Sequence, residues 1–195
     1  MKRWILLFVC ITLFASCKSS PTTNNTSNTS DTTVILDHAL FEQNGTPSLN
    51  GWTFHPAGTD DTLDFEQSAP PGMGTWSYKL HTSDFPPVTN ALVRNYTGLV
   101  SGIYSFTAWH RMKYILAAGT FPEGYISVTK LSGGISTVTT QITTDDTAWH
   151  TVSLLDTFAL QPSDTVQLLL SAGARTTGQH GNPLWFDDIT FERLP

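Results

Sequence analysis

Apolar and polar residues alternate with a period of two along much of the chain after residue 33, and Gly, Pro, Asn and Ser break this alternation into short runs. A period of two places successive side chains on opposite faces of a β-strand. Since no stretch repeats its apolar residues every 3.6 positions, any helices should be short. The pattern predicts an all-β protein, an antiparallel β-sandwich of about ten strands over residues 34–195.

Turn and loop signals delimit the predicted strands. Asn44-Gly45 and Ser132-Gly133-Gly134 predict tight turns, and the Pro-Pro pairs at 70–71 and 86–87 indicate loops. The runs between these signals are predicted as strands: 34–36 and 40–42 (one strand or a pair), 51–54, 62–66, 76–81, 91–97, 102–114, 124–131, 135–143, 149–155, 166–171 and 184–191.

The final run is apolar on both faces at its start. Strict alternation would place one set of residues on one face (Trp185, Asp187, Ile189, Phe191) and the intervening set on the other (Leu184, Phe186, Asp188, Thr190). A strand with apolar residues on both faces is covered on both sides. We therefore expect this strand well inside a sheet.

Composition and charge limit the function classes. The 195 residues, 39% hydrophobic and 11% aromatic, suffice for one domain with a single core. The formal net charge is −6, and removal of Lys2 and Arg3 with a leader would make it −8. This sign argues against nucleic acid or anionic lipid as a partner of the folded domain.

Residues 1–16 predict an export signal: Lys2 and Arg3 form a basic start, residues 4–14 are apolar, and Ala15-Ser16-Cys17 is a small-residue cleavage site. The apolar run is shorter than the roughly 20 residues of a membrane span. The segment resembles the signal of bacterial lipoproteins, in which the cysteine, here Cys17, is lipidated and becomes the new N-terminus. An ordinary secretory signal with an incidental cysteine is the alternative.

The segment after the cleavage site predicts a tether. Thirteen of residues 18–33 are Ser, Thr or Asn, a composition that buries no apolar area and should stay disordered. Lys18 directly after Cys17 resembles lipoproteins sent to the outer membrane. We therefore expect residues 17–33 to tether a monomeric domain, residues 34–195, to the outer membrane of a Gram-negative bacterium, with membrane contact through the lipid alone.

Four segments carry a family resemblance: Leu40-Phe41-Glu42 with Gly51-Trp52 after it, residues 99–111, Thr147-Ala148-Trp149-His150, and Phe186-Asp187-Asp188-Ile189. Their order and spacing resemble the jelly-roll carbohydrate-binding modules of the galactose-binding-like superfamily, especially those attached to bacterial xylanases and glucanases. The resemblance implies a jelly roll and a carbohydrate ligand. Because the same fold also serves protein binding and structural spacing, a protein-interaction or structural module of an envelope complex is the alternative.

Trp109 and Arg111 are the candidate sugar-binding residues on the strand predicted over residues 102–114. Alternation puts them opposite the apolar set of Tyr104, Phe106, Ala108 and Met112. An indole can stack on the apolar face of a pyranose, and a guanidinium can hydrogen-bond its hydroxyls. The alternative is a Trp109 packed under a loop and a solvated Arg111. Trp52, Trp149 and Trp185 match core positions in the resembling modules.

The loop of residues 175–182 is the second candidate for a sugar site, because its polar groups can hydrogen-bond hydroxyls. Gln179 and His180 are the residues we assign to binding there. The alternative is an ordinary solvated loop.

The resemblance also implies a structural calcium ion between an acid of the first strand and an acid of the last. Glu42 and Asp188 are the matching positions. Calcium takes six to eight oxygen ligands, so backbone carbonyls would have to supply the rest. The alternative is that these acids accept hydrogen bonds from backbone amides.

Catalytic signatures are absent from the sequence. It contains no HExxH, no G-x-S-x-G and no phosphate-binding loop, and the six histidines lack ligand spacing. We therefore expect a protein that is not an enzyme.

Overall fold

The computed structural model describes residues 32–56, 62–81, 91–112, 124–133, 135–142, 147–172 and 183–195. Within these ranges every regular element is a strand, so they contain no helix that could cross a membrane. The strands are β1 Val34–Ala39, β2 Glu42–Gln43, β3 Thr46–Pro47, β4 Thr53–His55, β5 Thr62–Glu66, β6 Ser77–His81, β7 Ala91–Thr97, β8 Gly102–Met112, β9 Gly124–Lys130, β10 Ser136–Ile142, β11 His150–Phe158, β12 Thr165–Ala172 and β13 Leu184–Arg193. Ten of these have five or more residues, in agreement with the predicted number.

Two antiparallel sheets form a β-sandwich. One has the order β11-β8-β13-β6-β5, with β1 also paired to β13, and the other has the order β10-β9-β12-β7-β4. The short strands β2 and β3 form a hairpin around Asn44-Gly45, whose φ angles of 54° and 76° suit a tight turn. Because β13 lies between β8 and β6, the prediction of an interior final strand is confirmed.

The core lies between the inner faces of the two sheets. In β8, Tyr104, Phe106 and Ala108 are buried, and the residues between them are half-buried. Trp52 packs on Phe106, with ring centroids 6.3 Å apart. Phe106 in turn packs edge-on against Phe191 at 6.3 Å. The alternation predicted for β8 is therefore confirmed.

A β-bulge in β13 makes the predicted alternation wrong beyond Asp187. Asp187 pairs with Trp109 and Thr190 pairs with Thr107, so two residues of β13 oppose Ala108 alone. Asp188 takes a positive φ of 43° at this point. The extra residue reverses which alternate side chains of β13 face the core. The core residues of β13 are therefore Leu184, Phe186, Ile189 and Phe191.

His110 is a buried imidazole on the inner face of β8. The residue is 2% exposed, its ring lies 6.0 Å from that of His150, and no described residue is a hydrogen-bond partner of its Nδ1 atom. Burial, and then repulsion from His150, lowers the pKa of His110 from 6.5 to about 4. The folded protein therefore holds this ring in its neutral form.

This pKa shift predicts a loss of stability in mild acid. The pKa of His110 is lower in the folded protein than in the unfolded chain. The contribution of the neutral ring to the free energy of unfolding is therefore complete above about pH 6.5 and is lost as the pH falls toward 4. His110→Gln should therefore show a smaller change in the free energy of unfolding between these limits, measured by urea denaturation. His55→Gln, at an exposed position, is the control. Parallel pH profiles for His110→Gln and the parent would refute this role of His110.

Candidate functional site

Trp109 and Arg111 lie on the outer face of the six-stranded sheet, which points away from the five-stranded sheet. Both belong to the half-buried set that alternates with the core residues of β8. The cross-strand register places Trp109 between Thr151 of β11 and Asp187 of β13. The two residues thus share the face that the sequence predicts, and their role in binding stays a prediction.

Arg111 contacts two indoles on this face. Its Cζ atom lies 5.4 Å from the ring centroid of Trp149 and 4.5 Å from that of Trp185. Lys79 Nζ lies 5.3 Å from the same Trp185 ring. These distances are within the range of cation–π attraction. The contacts restrict the guanidinium of Arg111 and leave Trp185 beneath two cations.

A pocket of about 420 Å³ opens beside these side chains. Its walls are formed by Glu66, Lys79, Arg111, Met112, Thr147 and Trp185. Glu66 faces both cations: its Oε2 lies 3.5 Å from Lys79 Nζ and its Oε1 lies 3.6 Å from Arg111 Nη2. The pocket has the volume of a small-ligand site and holds charged, hydrogen-bonding and aromatic groups together.

The three tryptophans assigned to the core have different positions in the structure. Trp52 is buried between the sheets, as predicted. Trp149 is half-buried and in contact with Arg111, so its assignment to the core is wrong. Trp185 is only 4% exposed, but it lies outside the inter-sheet cluster, in register between Arg111 and Lys79. The indole of Trp185 is therefore a floor of the pocket on the outer face.

Sequence reasoning missed Lys79, Glu66 and Trp185 as neighbours of Arg111. The period of two in β6 places Lys79 opposite the core residues Tyr78 and Leu80, which is a signal that the sequence contains. The pairing of β6 with β13 joins residues about 100 positions apart, and no local pattern specifies it. The other two predicted binding residues, Gln179 and His180, lie outside the described residues.

Glu42 and the two adjacent acids of β13 meet where β13 changes its partner from β6 to β1. Glu42 Oε2 accepts hydrogen bonds from the backbone N–H groups of Thr75 at 2.7 Å and Trp76 at 3.1 Å. The fit is close, since a Cβ on Gly74 would lie 2.8 Å from Glu42 Cδ. The alternative predicted for Glu42, acceptance of backbone amides, is therefore observed for this residue.

The acids of the bulge differ in their partners. Asp188 Oδ1 lies 2.8 Å from His38 Nε2, so Asp188 is bound to β1. Asp187 is fully buried: its Oδ1 accepts the N–H of Asp188 at 2.8 Å, and its Oδ2 has no hydrogen-bond partner among the described residues. Burial, followed by repulsion from Asp188 and Glu42, raises the pKa of Asp187 from 3.8 to about 8. The folded protein therefore keeps a proton on this buried carboxyl near neutral pH, and its ionised form would need a positive charge beside it.

A calcium ion fits these acids better through Asp187 than through Asp188. Asp187 Oδ2 lacks a partner, and the charges that act on this group, those of Asp188 and Glu42, are negative, within the part of the chain that the structure describes. Extending the β6–β13 register by one residue brings Ser77 opposite Asp187. The buried Oγ atom of Ser77 likewise has no partner in the described ranges. Among the described residues no three His, Cys, Asp or Glu side chains form a metal cluster. The remaining ligands would therefore be backbone carbonyls or water.

A second pocket, of about 570 Å³, lies beside β1 and contains Asp37 and Arg94. The Tyr96 hydroxyl donates a hydrogen bond of 2.6 Å to Asp37 Oδ2, and Arg94 Nη1 lies 3.2 Å from the same oxygen. Arg94 also donates to the backbone carbonyl of Asn50. Because Asp37 and Arg94 neutralise each other and join β1 to β7, we assign this network to the stability of the sandwich.

The two sheets and their topology define a jelly-roll β-sandwich of the kind found in carbohydrate-binding modules, so the predicted fold is confirmed. The xylan-binding domain from CBM 22 matches 82% of this chain and 94% of its own, with a TM-score of 0.52 and 15% identity. The CBM22-1 xylan-binding domain from Paenibacillus barcinonensis Xyn10C matches 83% of this chain and 94% of its own, with a TM-score of 0.50 and 19% identity.

A third similar structure comes from a different kind of protein. The enzymatically active domain of bacteriophage CBA120 tailspike protein 4 matches 74% of this chain with a TM-score of 0.54 and 10% identity, and this chain spans 19% of the tailspike chain. Identities this low show a common fold alone. No protein-family model and no curated protein matches the chain.

Proposed function

We propose that this protein is a non-catalytic carbohydrate-binding module, and that it binds sugar on the outer face of its six-stranded sheet. One observation carries the proposal: Trp109, Arg111, Trp149 and Trp185 come together at one end of that face. The half-buried indoles of Trp109 and Trp149 offer surfaces for pyranose stacking, and Arg111, held over the buried Trp185, offers directional hydrogen bonds. The fold, which similar xylan-binding domains share, supports this choice.

A glycan array probed with the purified protein tests this function. We expect binding to one class of oligosaccharide, with competition by the same soluble sugar. Binding to no glycan would contradict the proposal and would favour a role in protein interaction. The exposed Ile103 and Leu155, which lie close together on the same sheet, are the observation in favour of that second role.

We also propose that the module is held at the cell envelope through a lipid on Cys17. Val34, where the tether would enter, pairs with Arg193, and Arg193 pairs with Tyr104. Arg111 is seven residues further along β8, which corresponds to roughly 23 Å. A tether that enters at this end leaves the pocket beside Arg111 at the far end of the sheet.

Lipidation can be tested at its single predicted acceptor. Labelled palmitate should enter the parent chain, and Cys17→Ser should abolish the labelling, because lipid attachment requires the cysteine thiol. Cys10→Ser is the matched control, since Cys10 lies inside the predicted signal. Equal labelling of parent and Cys17→Ser would disprove the anchor.

A structural calcium ion held by Glu42 and Asp187 completes the proposal. The ion would replace the proton of the buried Asp187 carboxyl and stabilise its ionised form, and it would tie the start of the domain to its last strand. Its proposed role is stability of the fold, and because Asp187 pairs with Trp109 across the strands, the ion would lie beside the proposed sugar site.

A further inference from the structure

We propose that the pocket between Arg111, Lys79 and Trp185 binds a carboxylate, so that the glycan recognised by this protein contains uronic acid residues. This inference rests on the proposed function and names the class of sugar. It follows from three properties of the pocket: its charge, its surplus of hydrogen-bond donors and the weak contacts of its own acid.

The charge of the pocket is opposite to that of the chain. Among the residues that the structure describes, its wall contains two cations, Arg111 and Lys79, and one anion, Glu66, whereas the whole chain has a formal net charge of −6. Asp64 pairs with Lys79 across the strands, but it is exposed and is not part of the wall. An anionic group in the pocket would therefore meet an excess of positive charge.

Donors also exceed acceptors in this corner of the sheet. The side chains of Arg111 and Lys79 are each 25% exposed, so their terminal N–H donors are open to a ligand, whereas Trp185 Nε1 and Arg111 Nε are themselves buried. Among the described residues of the wall, Glu66 is the one carboxylate that accepts from these donors. A carboxylate has two oxygens that only accept hydrogen bonds, whereas a sugar hydroxyl also donates its proton and so needs an acceptor as well. The donor set therefore favours a carboxylate over a neutral hydroxyl group.

Glu66 holds its two cations loosely. The separations of 3.5 Å to Lys79 and 3.6 Å to Arg111 exceed the roughly 2.7–2.9 Å of a charge-assisted hydrogen bond. The Glu66 side chain is 41% exposed, whereas the Arg111 side chain is 25% exposed and is restrained by two indoles. A ligand carboxylate can displace such a weak partner from a guanidinium that is already oriented.

The test compares oligosaccharides that differ only at the carboxyl group. Oligogalacturonate and glucuronate-containing oligosaccharides are titrated into the purified protein by calorimetry, each beside its carboxyl-reduced form. We expect at least about a tenfold preference for one acidic sugar over its reduced form, the scale of one charged hydrogen bond, and a smaller preference at high salt. Arg111→Gln should reduce the preference to less than about twofold.

Two further variants separate local from general charge effects. Arg193→Gln removes one positive charge at the other end of β13 and should keep the preference. Glu66→Gln removes the competing acid and should strengthen binding of the acidic sugar. Equal or tighter binding of the reduced sugar, or a preference that survives Arg111→Gln, would overturn the uronate inference and leave carbohydrate binding standing. Failure of all acidic and neutral glycans to bind would overturn the proposed function as well.

Discussion

Trp109→Ala is expected to abolish sugar binding while leaving the fold intact. Trp109 is half-buried on the outer face of β8 and is not part of the inter-sheet core. Loss of a partly exposed indole should cost less than about 2 kcal/mol of the free energy of unfolding, since full burial of a large side chain contributes about 1.5–3 kcal/mol. The same change removes the stacking surface for a pyranose ring, so affinity should fall below detection.

Trp52→Ala provides the matched control. Trp52 is 3% exposed and packs on Phe106, so its truncation should cost about 3–5 kcal/mol. Urea denaturation and a glycan titration on both variants give the comparison. If Trp109→Ala were as destabilising as Trp52→Ala, or if it bound sugar like the parent, Trp109 would not belong to the sugar site.

Calcium is expected to raise the melting temperature, and Asp187→Asn is expected to remove this effect. Binding to the native state alone stabilises by about 2.7 kcal/mol at a hundredfold excess over Kd, which corresponds to roughly 5–10 °C for a domain of this size. Asp187 is the proposed ligand because its buried Oδ2 has no partner in the part of the chain that the structure describes. Asp188→Asn is the control: it should keep most of the shift, because Asp188 is bound to His38.

The calcium effect should also grow with pH. The raised pKa means that folded, calcium-free protein keeps a proton on Asp187 that the unfolded chain releases near pH 3.8. This group therefore stabilises the calcium-free fold fully below pH 3.8, and that contribution is lost as pH rises toward 8. Calcium requires the ionised carboxylate, so the melting curves with calcium and with chelator should separate progressively over this interval.

Either of two results would refute the calcium proposal in this form. Coincident melting curves in chelator and in millimolar calcium across this pH range would exclude a stabilising ion. A shift that Asp188→Asn removes and Asp187→Asn retains would reverse the assignment of the ligand and restore Asp188, the position that the sequence resemblance indicates.

The strands could be predicted from the sequence because their signals are local. In β8 a period of two runs without interruption from Tyr104 to Met112, and the structure retains it. In β13 the same reasoning failed after Asp187, since a single bulged residue reverses the faces and only the pairing with β8 reveals it. Most of the fold was therefore predictable from the sequence. The exception is the bulge in β13, at the point where its pairing partner changes from β6 to β1.

The candidate site was predictable only in part. Trp109 and Arg111 could be found because they share one face of one strand. Lys79, Glu66 and Trp185 join them through pairings of β5, β6 and β13, which are long-range and have no signature in the sequence. Asp187 differs from Asp188 in that Asp187 is buried and Asp188 contacts His38. The sequence shows only two adjacent acids and indicates neither property.

Nuclear magnetic resonance of the tryptophan indole N–H groups during a sugar titration tests the central claim most directly. Trp109, Trp149 and Trp185 lie on the proposed binding face, whereas Trp52 is in the core and Trp76 donates its indole N–H to the Gly45 carbonyl. A sugar bound on the outer face should shift the signals of Trp109 and at least one of Trp149 and Trp185, and leave that of Trp52 nearly unchanged. Saturable binding that leaves all three outer-face signals in place would contradict a sugar site on this sheet.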